Sequence, residues 1–368
     1  MMKNNSNRVI ARSVLSGAAP FAAKSKGRDE AIFQTHLRDC FAALAMTLAL
    51  LLVACSAPAP SASPTAAPTP GTLTEVSVVM GYIPHVQFAP WFVADKKGYF
   101  AAEGIKVNYN WGFELDGVKL VGANQADFAL LGGDQVIQAR SQNIPVVYVA
   151  NWYNAFPIAI FSLKEKNITT PKDLIGKKIG LPGFYGATYT GWRALLYEQG
   201  IKELDVQTQD IGFNQIAAVT QGAVDAAAGY SNNEPVQLSL AGKPINVIQV
   251  GEYSKLVGIG LVTNEKTIAE RPLIVQKVVR AFLRGVRDTN SNPQEALAIS
   301  IQVVPESGGQ NQKTTEAVLN ASIKLWQSQR LGYSDPAAWA ASAKFMKDAG
   351  LIKADVDATK AFTNNFVQ

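Results

Sequence analysis

The chain is poor in the residues from which most catalysts and metal sites are built. Its 368 residues include two cysteines, Cys40 and Cys55, and two histidines, His36 and His85. Charged residues make up 17%, and every long stretch after residue 73 mixes polar with apolar side chains. That excludes a disordered chain, a coiled coil and a multispan membrane protein. No Walker loop and no GxGxxG run occurs, so the common phosphate-cradling loops are missing. What remains is a 48% apolar chain of a length suited to roughly two domains.

Residues 40–54 read CFAALAMTLALLLVA, an apolar run too short for a comfortable membrane span. Lys24, Lys26, Arg28 and Arg38 precede it, as in a secretory signal. It ends in Leu52-Val53-Ala54-Cys55, which resembles a bacterial lipoprotein cleavage site whose cysteine takes the lipid; an uncleaved signal anchor is the alternative. The leader carries seven of the 34 Lys/Arg and three of the 29 Asp/Glu, so the remainder is close to neutral and the net charge of +5 points to no nucleic-acid partner. With Cys40 removed and Cys55 lipidated, no disulfide, thiol nucleophile or thiolate metal site is left. The lone remaining histidine, His85, excludes a histidine-built zinc site, and a Ser-His-Asp triad unless His85 serves it.

Residues 56–72 contain only Ser, Ala, Pro, Thr and Gly and read as an extended tether. From Glu75 onward strand and helix patterns alternate, as in βαβ units with mostly parallel sheets. Strands are expected at Val76 to Met80, Val107 to Trp111, Phe128 to Leu131 and Val146 to Asn151, with helices at 88–97, at 116–123 and from Asp134. A second series has strands at Ile158 to Leu163, Lys178 to Leu181, Val206 to Asp210, Ala226 to Gly229, Asn246 to Val250 and Gly258 to Val262. After residue 264 only helices are expected, at 272–290, 293–303, 311–330, 336–348 and 355–366. Such a tail has no sheet of its own and is expected to pack on the first lobe. The organisation is then a leader (1–54), a tether (55–73), lobe 1 (74–158 with 263–368) and lobe 2 (159–262). The chain would cross between lobes near 157–163 and 259–264, making a hinge and a ligand cleft beyond the carboxyl ends of the strands.

Several segments, in order, resemble the solute-binding proteins of bacterial ABC importers, in the subgroup handling thiamine pyrimidine precursors, sulfonates, nitrate and related vitamins. They are Gly81-Tyr82-Ile83-Pro84, Val93-Ala94-Asp95-Lys96-Lys97-Gly98-Tyr99-Phe100, Gly122-Ala123-Asn124-Gln125-Ala126-Asp127, Thr170-Pro171-Lys172-Asp173-Leu174, Gln221-Gly222-Ala223-Val224-Asp225 and Glu234-Pro235. The resemblance implies a two-lobed type-2 periplasmic binding fold and no catalysis. It also implies a monomer that delivers its ligand to a permease driven by a separate ATPase, and touches the membrane through its lipid alone. Within the subgroup, GYIPHVQFAPWFVA and GFELDGVKLVGAN are most similar to the riboflavin-binding branch. Where the thiamine-pyrimidine branch carries Trp, Asn, His and Gly in its first loop, this chain has Tyr82, His85, Phe88 and Pro90. The related pyrimidine-synthesising enzymes use that histidine and a cysteine-rich motif that this chain lacks.

Six loops after strands supply the candidate site residues. The first carries Tyr82, Ile83, His85, Gln87 and Phe88, with His85 equally readable as a solvated loop residue. The second carries Glu114, which can accept hydrogen bonds from a ligand or favour the next helix start by charge. Asp134 and Gln135 follow Gly132-Gly133, Asp134 reading first as a helix cap. Trp152 and Tyr153 end a strand at the lobe boundary, with core packing as the alternative. Phe184, Tyr185, Gly186, Ala187 and Thr188 lead into a helix. Tyr230, Asn232, Asn233 and Glu234 offer amides and a carboxylate. None of these loops contains Lys or Arg, whereas a sulfonate or nitrate would call for them. The aromatic set, with Trp91 included, suits stacking on a flat heterocycle, and riboflavin, as transported ligand rather than cofactor, fits that chemistry.

Overall fold

A computed structural model describes residues 72–367; the leader, Cys55 and nearly all of the tether lie outside the described residues. The first series runs β1 (Thr74–Val79), α1 (Ala89–Lys96), α2 (Tyr99–Ala102), β2 (Ile105–Asn110), α3 (Glu114–Gly122), β3 (Phe128–Gly132), α4 (Gly133–Ser141) and β4 (Val146–Asn151). The second runs β5 (Ile158–Leu163), β6 (Lys178–Leu181), α5 (Gly186–Gln199), β7 (Gln207–Asp210), α6 (Gln215–Thr220), β8 (Ala226–Tyr230), α7 (Glu234–Leu240), β9 (Ile245–Gln249) and α8 (Val250–Tyr253). The chain then returns through β10 (Ile259–Asn264), α9 (Glu265–Glu270), α10 (Pro272–Ser291), α11 (Pro293–Val303), α12 (Gln312–Trp326) and α13 (Pro336–Asp348).

Two five-stranded sheets result, in the orders β2-β1-β3-β10-β4 and β7-β6-β8-β5-β9. In each, one strand (β10 or β5) opposes four that share a direction, so the expected mostly parallel α/β architecture holds. The strand expected to close the second lobe is β10, and it lies instead between β3 and β4 of the first sheet. Local pattern could not place it: Ile259–Asn264 is buried throughout, and such a run reads the same in either sheet. The crossings are therefore 152–157 and 254–258, just before the strands in which they were expected. They are tied together: the Trp152 and Tyr153 amides both donate to the Ile259 carbonyl, at 3.1 and 2.8 Å. Gly258 makes the approach possible, because a β-carbon there would stand 2.9 Å from that of Tyr153 and closer still to its carbonyl oxygen.

The helical return packs mainly on the first sheet. α10 buries Val275, Val278, Val279, Phe282 and Val286 against α1 and the sheet, with Trp91 stacked between Phe100 and Phe282 at 5.5 and 4.6 Å. Trp91 is thus core and no cleft residue. α13 straddles the lobes: it packs on α4, yet Phe345 meets the Tyr197 ring of α5 at 5.3 Å and Asp348 accepts from the Tyr197 hydroxyl at 2.7 Å. The expected last helix at 355–366 is absent. Only a single 3-10 turn forms at Ala358–Lys360, and Phe362 runs as a bridge beside Tyr148. The open edge of β4 takes up this segment: the Tyr148 amide donates to the Ala361 carbonyl, and the Thr363 amide to that of Tyr148, each at 2.9 Å.

Gly285 of α10 faces α1 so closely that a β-carbon would stand 2.9 Å from that of Ala94. Gly285→Ala is expected to cost about 1–3 kcal/mol through overpacking, read as a lower denaturant midpoint. An unchanged midpoint would mean that the two helices have room to spare.

Candidate functional site

A cavity of about 370 Å³ lies between the two sheets, within the range of roughly 300–1,000 Å³ typical of small-molecule sites. Its walls are the loops beyond the carboxyl ends of β1, β2, β3, β4, β6, β7 and β8, because four strands of each sheet point their ends at the opposite lobe. From lobe 1 come Tyr82, Gln87, Phe88, Glu114, Gln135, Trp152 and Tyr153. From lobe 2 come Tyr185, Gly186, Ala187, Thr188, Tyr230, Asn233 and Glu234.

At the cavity floor one hydrogen bond crosses between the lobes and others tie the polar groups of each wall together. The Tyr230 hydroxyl donates to Glu114 Oε1 at 3.2 Å, and the Gln135 side-chain amide donates to Glu114 Oε2. The Tyr230 amide donates to Glu234 Oε2 at 2.9 Å, and Gln237 donates to Asn233 Oδ1 at 2.8 Å. Among the described residues no cation neutralises these acids. Burial, aided by the Asp134 charge and opposed by the Tyr230 hydroxyl, pushes the Glu114 carboxyl up to about 8. Burial likewise pushes Asp134 up to about 6 and raises Glu234, against the backbone N–H groups of Glu234 and Tyr230. Among the described residues the single cation on the lining is Lys119, which is exposed at the rim and 3.7 Å from Asp116.

Four expected site residues do not reach the cavity. Ile83 points outward, 59% exposed. Phe184 projects to solvent and meets the edge of Tyr189 at 5.9 Å. Asp134 is buried behind Gln135, because the helix it opens turns its side chain inward. Asn232 lies behind the lobe 2 wall, where its amide donates to Ser322 of α12 at 2.8 Å and joins the lobes from the back. Trp152 and Tyr153 line the cavity, but their rings belong to the core: Trp152 stacks on Trp326 at 5.3 Å and Tyr153 meets Trp152 edge-on at 5.0 Å. Phe88 is similarly held edge-on against Trp111 at 5.4 Å. His85 is half-buried with Nδ1 unpartnered, and its desolvation lowers the imidazole pKa.

Sequence reading missed Phe113, Leu115, Phe213 and Gln215, all on the lining. Phe113 stands beside Glu114 in a loop already singled out. Phe213 follows β7, and the rule that sites gather after strands would have found it had Asp210-Ile211-Gly212-Phe213 been treated like the other six loops. The helix starts facing the cavity are also unusual. Phe113 precedes α3 and Tyr185 precedes α5, each at the N-cap and neither giving a side-chain cap, where Ser, Thr, Asp or Asn is the norm.

A family model described as NMT1/THI5 like matches residues 85–296. The chain belongs to that family. Among NMT1/THI5-like relatives, the riboflavin-binding protein RibY of Chloroflexus aurantiacus is 42% identical over 338 residues, covering 88% of this chain and 96% of that protein. The formylaminopyrimidine-binding protein of Halalkalibacterium halodurans is 30% identical, covering 62% of this chain and 70% of its own. A 4-amino-5-hydroxymethyl-2-methylpyrimidine phosphate synthase of Legionella pneumophila is 22% identical, covering 80% and 92%. The periplasmic aliphatic sulphonate binding protein SsuA of Escherichia coli shares the architecture with a TM-score of 0.66 at 15% identity, covering 79% of this chain and 92% of its own. The fold is that of the periplasmic binding proteins.

The raised carboxyls set a pH dependence. Glu114 and Asp134 keep protons in the folded chain at pH values where the unfolded chain has released them. Folding therefore takes up protons, and stability falls as pH rises from about 4.5 to about 8. The melting temperature is expected to drop over that interval, and Glu114→Gln to raise it at pH 8.5 by about 2 °C or more while leaving pH 4.5 nearly unchanged. Parallel curves for the two proteins would show that Glu114 is ionised at little cost.

Proposed function

We propose that the chain is the ligand-binding component of an ABC importer, that it captures riboflavin between its lobes, and that it hands it to a membrane permease. One observation carries the reading: a chain 42% identical to RibY along nearly all of that protein has an interlobe cavity with aromatic walls, an amide-rich floor and, among the described residues, no buried cation. The isoalloxazine ring system has Tyr82, Tyr185 and Tyr230 around it, and the ribityl hydroxyls meet Gln87, Gln135, Asn233 and Glu234. Glu114, held protonated near neutral pH by its burial, donates through its hydroxyl or accepts through its carbonyl oxygen at the ligand's polar edge. Among the described residues the lining has no buried cation, and Lys119 is exposed and paired at the rim, which argues against a sulfonate.

Closure gains its force from contacts that exist in the closed state alone. Tyr230 to Glu114 is one of these, made between loops of different lobes. A pyrimidine precursor of thiamine is the second reading, favoured by the formylaminopyrimidine-binding relative. A pyrimidine-synthesising enzyme is disfavoured: Phe88 stands at the position of that family's histidine, and no cysteine follows Cys55. Cys55 carries the lipid that holds the protein on the outer face of the cell membrane.

Titration of the purified protein with riboflavin is expected to quench the flavin fluorescence with submicromolar affinity, and Tyr185→Ala to weaken binding at least tenfold without melting the fold. Absence of quenching, with binding of 4-amino-5-hydroxymethyl-2-methylpyrimidine instead, would transfer the reading to the pyrimidine. Cys55→Ser is expected to leave riboflavin affinity intact and to release the protein from membranes into the soluble fraction. Retention on the membrane would rule out the lipid anchor.

A further inference from the structure

Two phenyl rings stand free in the mouth of the cavity. Phe113, at the start of α3, is 58% exposed, and Phe213, between β7 and α6, is 62% exposed. They come from opposite lobes and face each other nearly parallel, with ring centres 6.1 Å apart and planes 17° from coplanar. Neither serves the fold. Phe113 occupies an N-cap that a capping side chain would fill to better effect, and Phe213 sits in a loop beside the N-cap of α6. Exposed large apolar groups gathered at one place mark an interaction site, and both rings are part of the cavity lining. Phe88, Trp152 and Tyr153, in contrast, have their rings engaged by core neighbours.

We propose that Phe113 and Phe213 form a two-sided clamp that takes the ligand's flat heteroaromatic ring between them, one face from each lobe. This rests on the functional reading above and adds the residues that grip the ring. A planar ring held in van der Waals contact on both faces needs its flanking rings about 7 Å apart. With ring centres 6.1 Å apart the pair stands too close to hold a ring between them, so the lobes part further to admit one. Because each lobe gives one ring, the open state offers the ligand a single face and the closed state two. The clamp therefore converts ring binding into preference for the closed form. A ligand lacking a flat ring gains nothing from it, which makes the pair a filter for fused or substituted heterocycles over aliphatic solutes of similar polarity.

The test uses the full chain in detergent and riboflavin as probe, with Tyr82 and Tyr185 left in place to report binding by quenching. Phe113→Ala and Phe213→Ala are each expected to weaken riboflavin about fivefold or more, the loss seen when one stacked aromatic is removed. Phe213→Leu, which keeps the apolar bulk, is expected to behave like the alanine variant, and Phe213→Tyr like the unmodified chain. Both rings are exposed, so melting temperatures should hold; if an alanine variant unfolds, the Leu and Tyr pair decides alone. Riboflavin binding by the unmodified chain with affinity unchanged in the variants would overturn the clamp and leave the functional reading intact. Tighter or faster binding by the alanine variants would show that the rings latch onto each other and obstruct entry, which also overturns it. No riboflavin binding by the unmodified chain would overturn the functional reading and the clamp with it.

Discussion

A single carbonyl organises the molecule. Ile259, the first residue of β10, accepts from both Trp152 and Tyr153, and so binds the outgoing crossing to the returning one at the point where the lobes part. Lobe motion must pivot near that bond, and the cavity floor lies against it, since Trp152, Tyr153 and Ile259 all line the cavity. Gly258 is a condition of the same contact, for no side chain fits between it and the Tyr153 backbone. The hydrogen bonds from Asn232 to Ser322 and from Tyr197 to Asp348 lie away from this pivot and connect the lobes through the C-terminal helices. The return segment thus both completes lobe 1 and limits how far lobe 2 can swing.

The chemistry of the cleft follows from what it omits. Glu114, Asp134 and Glu234 are brought together with no cation to offset them, and burial raises the pKa of each. Carboxyls that keep their protons carry no charge, and they can donate as well as accept hydrogen bonds. The starts of α3 and α5 carry aromatic residues in place of capping side chains.

Much of the fold could be read from pattern. The runs Val146–Asn151, Ile158–Leu163 and Lys178–Leu181 are strands with the expected bounds, and Pro293–Val303 and Pro336–Asp348 are helices flanked by Asn292 and Asp335 caps. Sheet membership was not legible, because β10 is a uniformly buried run whose partners lie more than a hundred residues away in sequence. The last segment was misread for a related reason: its apolar spacing permits a helix, but the free edge of β4 offers its backbone a better partner. In the site, loop position identified most of the lining, yet ring orientation stayed hidden. Trp152 and Tyr185 are both aromatics after strands, and only packing tells that the first is locked against Trp326 while the second is 55% exposed.

The placement of β10 has a consequence for how the protein comes to be folded. β3 and β4 are made early in synthesis, yet they do not pair with each other; the strand that joins them is made only after the whole of lobe 2. Until residue 264 has been added, the first sheet has a gap with two unsatisfied edges, and edges of that kind recruit foreign strands. Lobe 2, continuous in sequence from β5 to β9, is under no such restriction and can form first. The nascent chain therefore has an unavoidable waiting period in which its earliest strands need shelter, and the length of that period is set by the size of the inserted lobe.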